Sequence, residues 1–274
     1  MFADLHVHTT VSDCSMGVET IIREAKRIGL THIAFTDHDT AEQAWEHKEM
    51  AEANGLKATV GVEMSAYDFE NARKVHILGY AYKTTEHIEA IGAETLRKRH
   101  ANCLRQMAIL EELGYHVPPE EVAKLAGRTI YKQHILDYLL RTGQSEMLFG
   151  DVYRRIFKNG GPCDFDIVYP RAEDCIRAIK ADGGLAVLAH PGQMDNFSAI
   201  PRLIAAGLDG IEYNHHSHSE ADKQKVADIC AQAETLEGKK LFMTGGSDFH
   251  GRYEKTAAAL GAYPAPESCQ ALFV

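Results

Sequence analysis

The chain has 274 residues, 45% of them hydrophobic and 25% charged, which is enough apolar content for a full buried core. Its net charge of −10 argues against a general nucleic-acid surface, and no stretch approaches the roughly 18 apolar residues of a membrane span. The first strand begins so early that no leader is expected, and six cysteines without a CxxC pair read as reduced thiols, so the expected location is the cytoplasm.

In chain order, short apolar runs ending in polar residues alternate with helical patterns. Residues 2–7 read as a strand, and 18–28 as a helix with apolar positions on one face and Gly29 as its stop. A second strand over 32–35 leads through Asp37-His38-Asp39 to a helix over 41–53; strands over 58–62, ending at Glu63, and 75–80 follow. The connection 64–74 lacks a helical period and is short for a parallel crossover, which needs about a dozen residues or more. The third and fourth strands are therefore expected to run antiparallel, which would bring His76 to the rim where the other strands end. Residues 86–170 break the rhythm, with a long helix over 94–113 and shorter ones near 119–125, 132–140 and 151–157. Residues 97–165 are read as a small all-helical insertion between strands four and five, over the mouth of a barrel built from 1–96 and 166–274. Strands over 185–189, 210–213 and 241–244, each after a helix, complete seven, predicting an α/β barrel or a closed, distorted relative of one.

Asp4-Leu-His6-Val-His8 and Asp248-Phe-His250 place ligand-type side chains two apart at strand ends, where i and i+2 share a face. The polar residues at strand ends are His6, His8, Asp13, Asp37, His38, Glu63, His76, His190, Glu212, Asp248 and His250. Any one histidine alone reads better as a strand cap or a partner of backbone; recurrence at nearly every strand terminus does not. Imidazole and carboxylate without thiolate suit Mn2+, Fe2+ or Zn2+, and the number of donors exceeds one ion's needs, so two or three divalent ions are expected. Such ions lower the pKa of a bridging water and clamp the oxygens of an in-line displacement. Cys14, beside Asp13, reads as a thiol and not as a ligand.

These residues resemble the PHP (polymerase and histidinol phosphatase) superfamily. His6-Val-His8, Asp13, Thr36-Asp37-His38-Asp39, Gly61-Val-Glu63, Val75-His76-Ile-Leu-Gly-Tyr80, His190-Pro191 and Gly246-Ser-Asp248-Phe-His250-Gly251 occur in that family's order. The resemblance implies a distorted (β/α)7 barrel and a trinuclear, Mn2+-favouring site. Its nine implied ligands are His6, His8, Asp13, His38, Glu63, His76, His190, Asp248 and His250, with Glu63 bridging two ions and Asp37 orienting its neighbours. Asp13 stands where histidinol phosphatases tend to have His, which argues against histidinol phosphate as substrate. The helical insertion resembles the branch acting on small sugar and nucleotide phosphates, in which it supplies an Arg and a His to the substrate phosphate. Arg128 and His134 are the candidates, although four extra residues separate them compared with nucleoside-bisphosphate phosphatases.

The chain accordingly looks more like the phosphoribosyl 1,2-cyclic phosphate diesterases, which open a cyclic diester through a metal-bridging hydroxide and then remove the phosphate. A nucleoside 3′,5′-bisphosphate phosphatase or other phosphomonoesterase is the alternative. An exonuclease is disfavoured by the acidic balance, and a non-catalytic binding module by the complete ligand set. In the run Glu212–Ser219, His218 stands where relatives place a His after Glu-x-Tyr and is assigned to the phosphate or to protonating the leaving oxygen; His215 and His216 read as solvated loop. Arg252 and Lys255 read as surface cations.

Overall fold

The computed structural model describes residues 1–254, 256 and 258–273, so Lys255 lies outside the described residues. Seven strands among these form one sheet in sequence order: β1 (Ala3–Val7), β2 (His32–Phe35), β3 (Lys57–Asp68), β4 (Arg73–Tyr80), β5 (Leu185–Leu188), β6 (Gly210–Asn214) and β7 (Phe242–Gly245). The helices are α1 (Val18–Arg27), α2 (Ala44–Ala53), α3 (Glu86–Glu112), α4 (Pro119–Ala123), α5 (Lys132–Arg141), α6 (Asp151–Ile156), α7 (Ala172–Ala181), α8 (Pro191–Met194), α9 (Ile200–Ala206) and α10 (Glu220–Glu237). None is long and apolar enough to cross a membrane.

β1, β2 and β3 run parallel, as do β5, β6 and β7, while β4 is antiparallel to both its neighbours. The sheet curls until its ends meet: Val7 bridges Phe249, with the His8 N–H donating to the Phe249 carbonyl at 3.0 Å. Asp4 ties the same seam, accepting from the Ser247 N–H (2.9 Å) and hydroxyl (2.6 Å) and from the Gly261 N–H (2.7 Å). The result is a nearly closed (β/α)7 barrel. Ala3, Leu5, Ala34, Leu78, Tyr80, Val187 and Ala189 pack with Ala265, Cys269 and Leu272 of the C-terminal segment, and two further apolar clusters join the sheet to its helices. All six cysteines are buried and free.

Two local expectations need correcting. Residues 64–68, expected as loop, continue β3, because the strand pairs with β4 from Gly61–Tyr80 out to Asp68–Arg73 and buries Met64 and Ala66 as it goes. The long helix starts at Glu86, eight residues early. Its first turn is capped from a distance: the Asp182 carboxylate, just past α7, accepts from the N–H groups of His87 and Ile88 at 3.0 and 2.8 Å. The later half of α3 packs with α4, α5 and α6 around Met107, Leu110, Ile135, Leu139, Ile156 and Phe157, an apolar cluster of its own.

Candidate metal centre

Because β4 is reversed, its N-terminal half and the C-terminal ends of the parallel strands reach one rim. There Glu63 sits at the centre, 1% exposed. Its Oε1 lies 2.7 Å from His76 Nδ1 and 3.2 Å from His190 Nε2. Its Oε2 lies 3.2 Å from His6 Nε2, 3.1 Å from His8 Nε2 and 3.2 Å from His38 Nδ1. Asp248 faces the same two histidines of β1 and its extension, its Oδ1 3.3 Å from His6 Nε2 and 3.1 Å from His8 Nε2. His250 Nε2 lies 3.2 Å from Asp13 Oδ1. All nine residues singled out as ligands thus converge, and their donor atoms form overlapping sets: His6, His8, Glu63 and Asp248; His8, Asp13, His38 and His250; His38, Glu63 and His76.

His76 and His190 hydrogen-bond to Glu63 Oε1 and His8 to Asp248, but other approaches in the cluster are not hydrogen bonds. His6 Nε2, Asp13 Oδ1, His38 Nδ1, Glu63 Oε2 and His190 Nδ1 are buried without a hydrogen-bond partner, a costly arrangement for polar groups unless something else satisfies them. A set of imidazole and carboxylate donors aimed at shared points, with no thiolate, fits divalent cations. The Cys14 thiol is buried and accepts from the Met16 N–H at 3.4 Å, and burial raises its pKa, so it is no thiolate donor.

The charges are mutually dependent. Burial would raise the Glu63 carboxyl, but His38, His76 and His6 hold it well below the usual range. Burial would lower His250, but Asp13 and Asp248 raise it to about 10. Around the cluster, side chains set orientation. Glu212, held to about 2 by His6 and His215 against its own burial, accepts at Oε1 from His6 Nδ1 (3.1 Å) and at Oε2 from the His190 N–H (2.8 Å). That leaves His6 Nε2 as the ring nitrogen that points inward. Asp37 does not face the cluster. It accepts from the Thr9 N–H and hydroxyl (both 2.8 Å) and the Ser12 hydroxyl (2.6 Å), bracing the turn between His8 and Asp13. His215, read from sequence as loop, is fully buried; its Nδ1 accepts from the Ser217 N–H, so its Nε2–H faces Asp248 Oδ2 at 3.5 Å.

Three non-glycine residues at this rim have positive φ: Asp39 (58°), His190 (25°) and Asp248 (54°). Such backbone conformations carry strain and tend to gather at functional sites.

A cavity of about 340 Å3 opens over the cluster, lined by Asp13, His38, His76, Asp248 and His250 and also by Lys74, Arg99 and Lys132. Arg99, from α3, donates to Asp39 Oδ2 and Ser65 Oγ (both 2.9 Å) and lies over the ring of Tyr131, 5.0 Å from its centre. Lys74 pairs with Asp166. Burial lowers the Lys132 pKa.

Three residues assigned to the substrate lie elsewhere. Arg128 is 64% exposed, pairs with Glu42 and lines a separate surface groove. His134 is buried as part of the α5 cap, its Nδ1 accepting from the Tyr131 N–H at 3.0 Å, and burial lowers it to about 4. His218 has both ring nitrogens tied to backbone: Nδ1 donates to the Tyr213 carbonyl (2.9 Å) and Nε2 accepts from the Gly192 N–H (3.1 Å). In the sequence each looked available because its partner is a remote or backbone group. The cavity's cations escaped notice for the converse reason. Only Lys74, two before His76 on the same strand, carried a signal.

Comparison with known proteins shows the family. The PHP domain family pattern matches residues 4–180. The chain is 42% identical over 256 residues to the phosphoribosyl 1,2-cyclic phosphate 1,2-diphosphodiesterase of Eggerthella lenta, covering 92% of this chain and 95% of that one. It is 31% identical over 265 residues to the 3′,5′-nucleoside bisphosphate phosphatase of Chromobacterium violaceum, covering 90% and 86%. A crystal structure from Bifidobacterium adolescentis, described as a candidate metal-dependent phosphoesterase, superposes with a TM-score of 0.88 at 27% identity, covering 98% of this chain and 94% of that one. Barrel, rim and relatives together define a metal-dependent phosphoric ester hydrolase. The chain belongs to the PHP domain family.

Proposed function

We propose that this enzyme acts in the cytoplasm on a small sugar or nucleotide carrying two phosphate groups. Its preferred substrate is 5-phosphoribosyl 1,2-cyclic phosphate, opened to the monoester and then dephosphorylated. The proposed ligands are His6, His8, Asp13, His38, Glu63, His76, His190, Asp248 and His250, holding two or three divalent ions, Mn2+ ahead of Fe2+ or Zn2+. The observation that carries the reading is Glu63, whose two oxygens face different imidazole sets, as a bridging carboxylate requires.

Bound ions supply an ionised water and neutralise the phosphoryl oxygens. The chain's own share is placement. Glu212 and Asp37 orient the residues around the ions, and the insertion over residues 97–165 covers the mouth. Lys74, Arg99 and Lys132 line the same cavity as the cluster and offer positive charge to a second phosphate of the same small molecule; this replaces the grip assigned to Arg128 and His134. The 42% identical relative supports the cyclic phosphoribose substrate. The 31% identical one supports a second reading, release of the 3′-phosphate from a nucleoside 3′,5′-bisphosphate.

The test is a screen of the Mn2+-loaded protein against the cyclic phosphoribose ester, linear sugar phosphates and nucleoside bisphosphates. Hydrolysis of the cyclic compound through both ester bonds is expected. Exclusive release of 3′-phosphate from nucleotides would select the second reading, and no turnover of any ester despite ion uptake would defeat both.

A further inference from the structure

α5 belongs to the helical region over the mouth, yet two of its side chains, four residues apart and so on one face, reach the metal rim. Gln133 approaches Asp13 Oδ2 at 2.7 Å through its amide nitrogen, the orientation a carboxylate acceptor demands. Asp137, 1% exposed, accepts at Oδ2 from Arg252 Nη2 (2.5 Å) and the Tyr253 hydroxyl (2.8 Å), as well as from Arg141 Nε (2.9 Å). Asp13 lies in the turn after β1, and Arg252 and Tyr253 follow His250 after Gly251. One helix face therefore holds two segments that are distant in sequence and meet only at the rim.

The consequence for Asp13 is specific. Oδ2 is occupied by the Gln133 amide, whereas Oδ1 is buried, has no hydrogen-bond partner and lies 3.2 Å from His250 Nε2. An uncharged donor fixes the carboxylate's rotation without neutralising it. A lysine at position 133 would have bound Asp13 as an ion pair; the amide leaves the charge for a cation.

We infer that Gln133 and Asp137 are positioning residues that make the insertion part of the metal centre. Gln133 turns Asp13 Oδ1 inward, and Asp137 holds the segment bearing His250. Together they complete the cation position bounded by His8, Asp13, His38 and His250. Seating of the insertion and filling of that position are then coupled, each favouring the other. This rests on the metal-dependent reading above.

The test uses the full-length protein with Gln133→Met, which keeps the length and removes the donor, and separately Asp137→Asn. Bound Mn2+ is counted by elemental analysis and titrated by calorimetry, and the metal-free proteins are melted. Expected in each variant is a loss of about 10–100-fold in affinity for one ion, the remaining ions binding as in the native protein and the metal-free melting of Gln133→Met unchanged. A full complement bound with native affinity in both variants would overturn the inference, as would equal weakening of every ion. Should the native protein take up no ions, the metal-dependent reading itself fails, an outcome distinct from either.

Discussion

Asp4 on β1 accepts from both donors of Ser247 beside β7, the backbone N–H at 2.9 Å and the hydroxyl at 2.6 Å, and from the Gly261 N–H at 2.7 Å. The bond joins the two edges of the sheet directly beneath the rim. Asp4→Ala would leave these buried donors unpaired, costing on the order of 3 kcal/mol. Urea denaturation of the metal-free protein measures it; an unchanged midpoint would mean the seam is held by its apolar contacts alone.

Protons and cations compete for the same lone pairs. Burial opposes a charge on His250, yet Asp13 and Asp248 raise it to about 10, so it holds a proton at neutral pH in the metal-free protein. A cation must displace that proton, and as pH rises the competition weakens. Apparent Mn2+ affinity is therefore expected to increase between pH 6 and pH 9. Calorimetry in two buffers of different ionisation enthalpy should show proton release on binding, and equal heats in both would contradict the assignment.

Glu63 faces five imidazoles at 3.2 Å or less. Mn2+ at about 100 times its Kd should stabilise the native protein by about 2.7 kcal/mol per site, seen as a rise in melting temperature that a chelator reverses. In Glu63→Gln the rise should be small or absent and phosphoesterase activity lost. A mutant that still gains full stability from Mn2+ would place the ions elsewhere.

The cavity's positive wall separates two residues that look alike on paper. Lys132→Met should raise KM for a substrate with two phosphates by about 10-fold, in line with the ~1.5 kcal/mol of a charged hydrogen bond, and should change the KM of p-nitrophenyl phosphate much less. Arg128→Ala should leave both unaltered, because that side chain pairs with Glu42 outside the cavity. Steady-state kinetics on the two substrates decides it.

His218 offers a similar contrast. With Tyr213 and Gly192 occupying both its nitrogens, His218→Ala should cost about 1 kcal/mol of stability. It should leave the rate ratio between p-nitrophenyl and alkyl phosphate esters unchanged, since only a proton donor to the leaving oxygen would alter that ratio.

The barrel and its rim were legible because the informative features are local. Apolar runs with polar ends, the missing crossover between Glu63 and His76, and the His6-Val-His8 spacing all lie within short windows, and each has a single geometric consequence. What escaped depends on contacts between distant segments. Asp182 caps α3 from 94 and 95 residues away; Gln133 reaches Asp13 across 120. His218 carries the right functional group, but backbone atoms occupy both its nitrogens, and His134 gives its Nδ1 to the α5 cap; no periodicity reports that. Arg99 lay unmarked in a long helix whose charged residues look alike until the fold selects one.

The joining of His8 to Asp248, 240 positions apart, has a consequence for biosynthesis. Any cation position that uses Asp248 or His250 is completed only once β7 has been made and the sheet has closed on β1, whereas His38, Glu63 and His76 are all present by residue 76. An ion at a position of the first kind would therefore bind only after barrel closure.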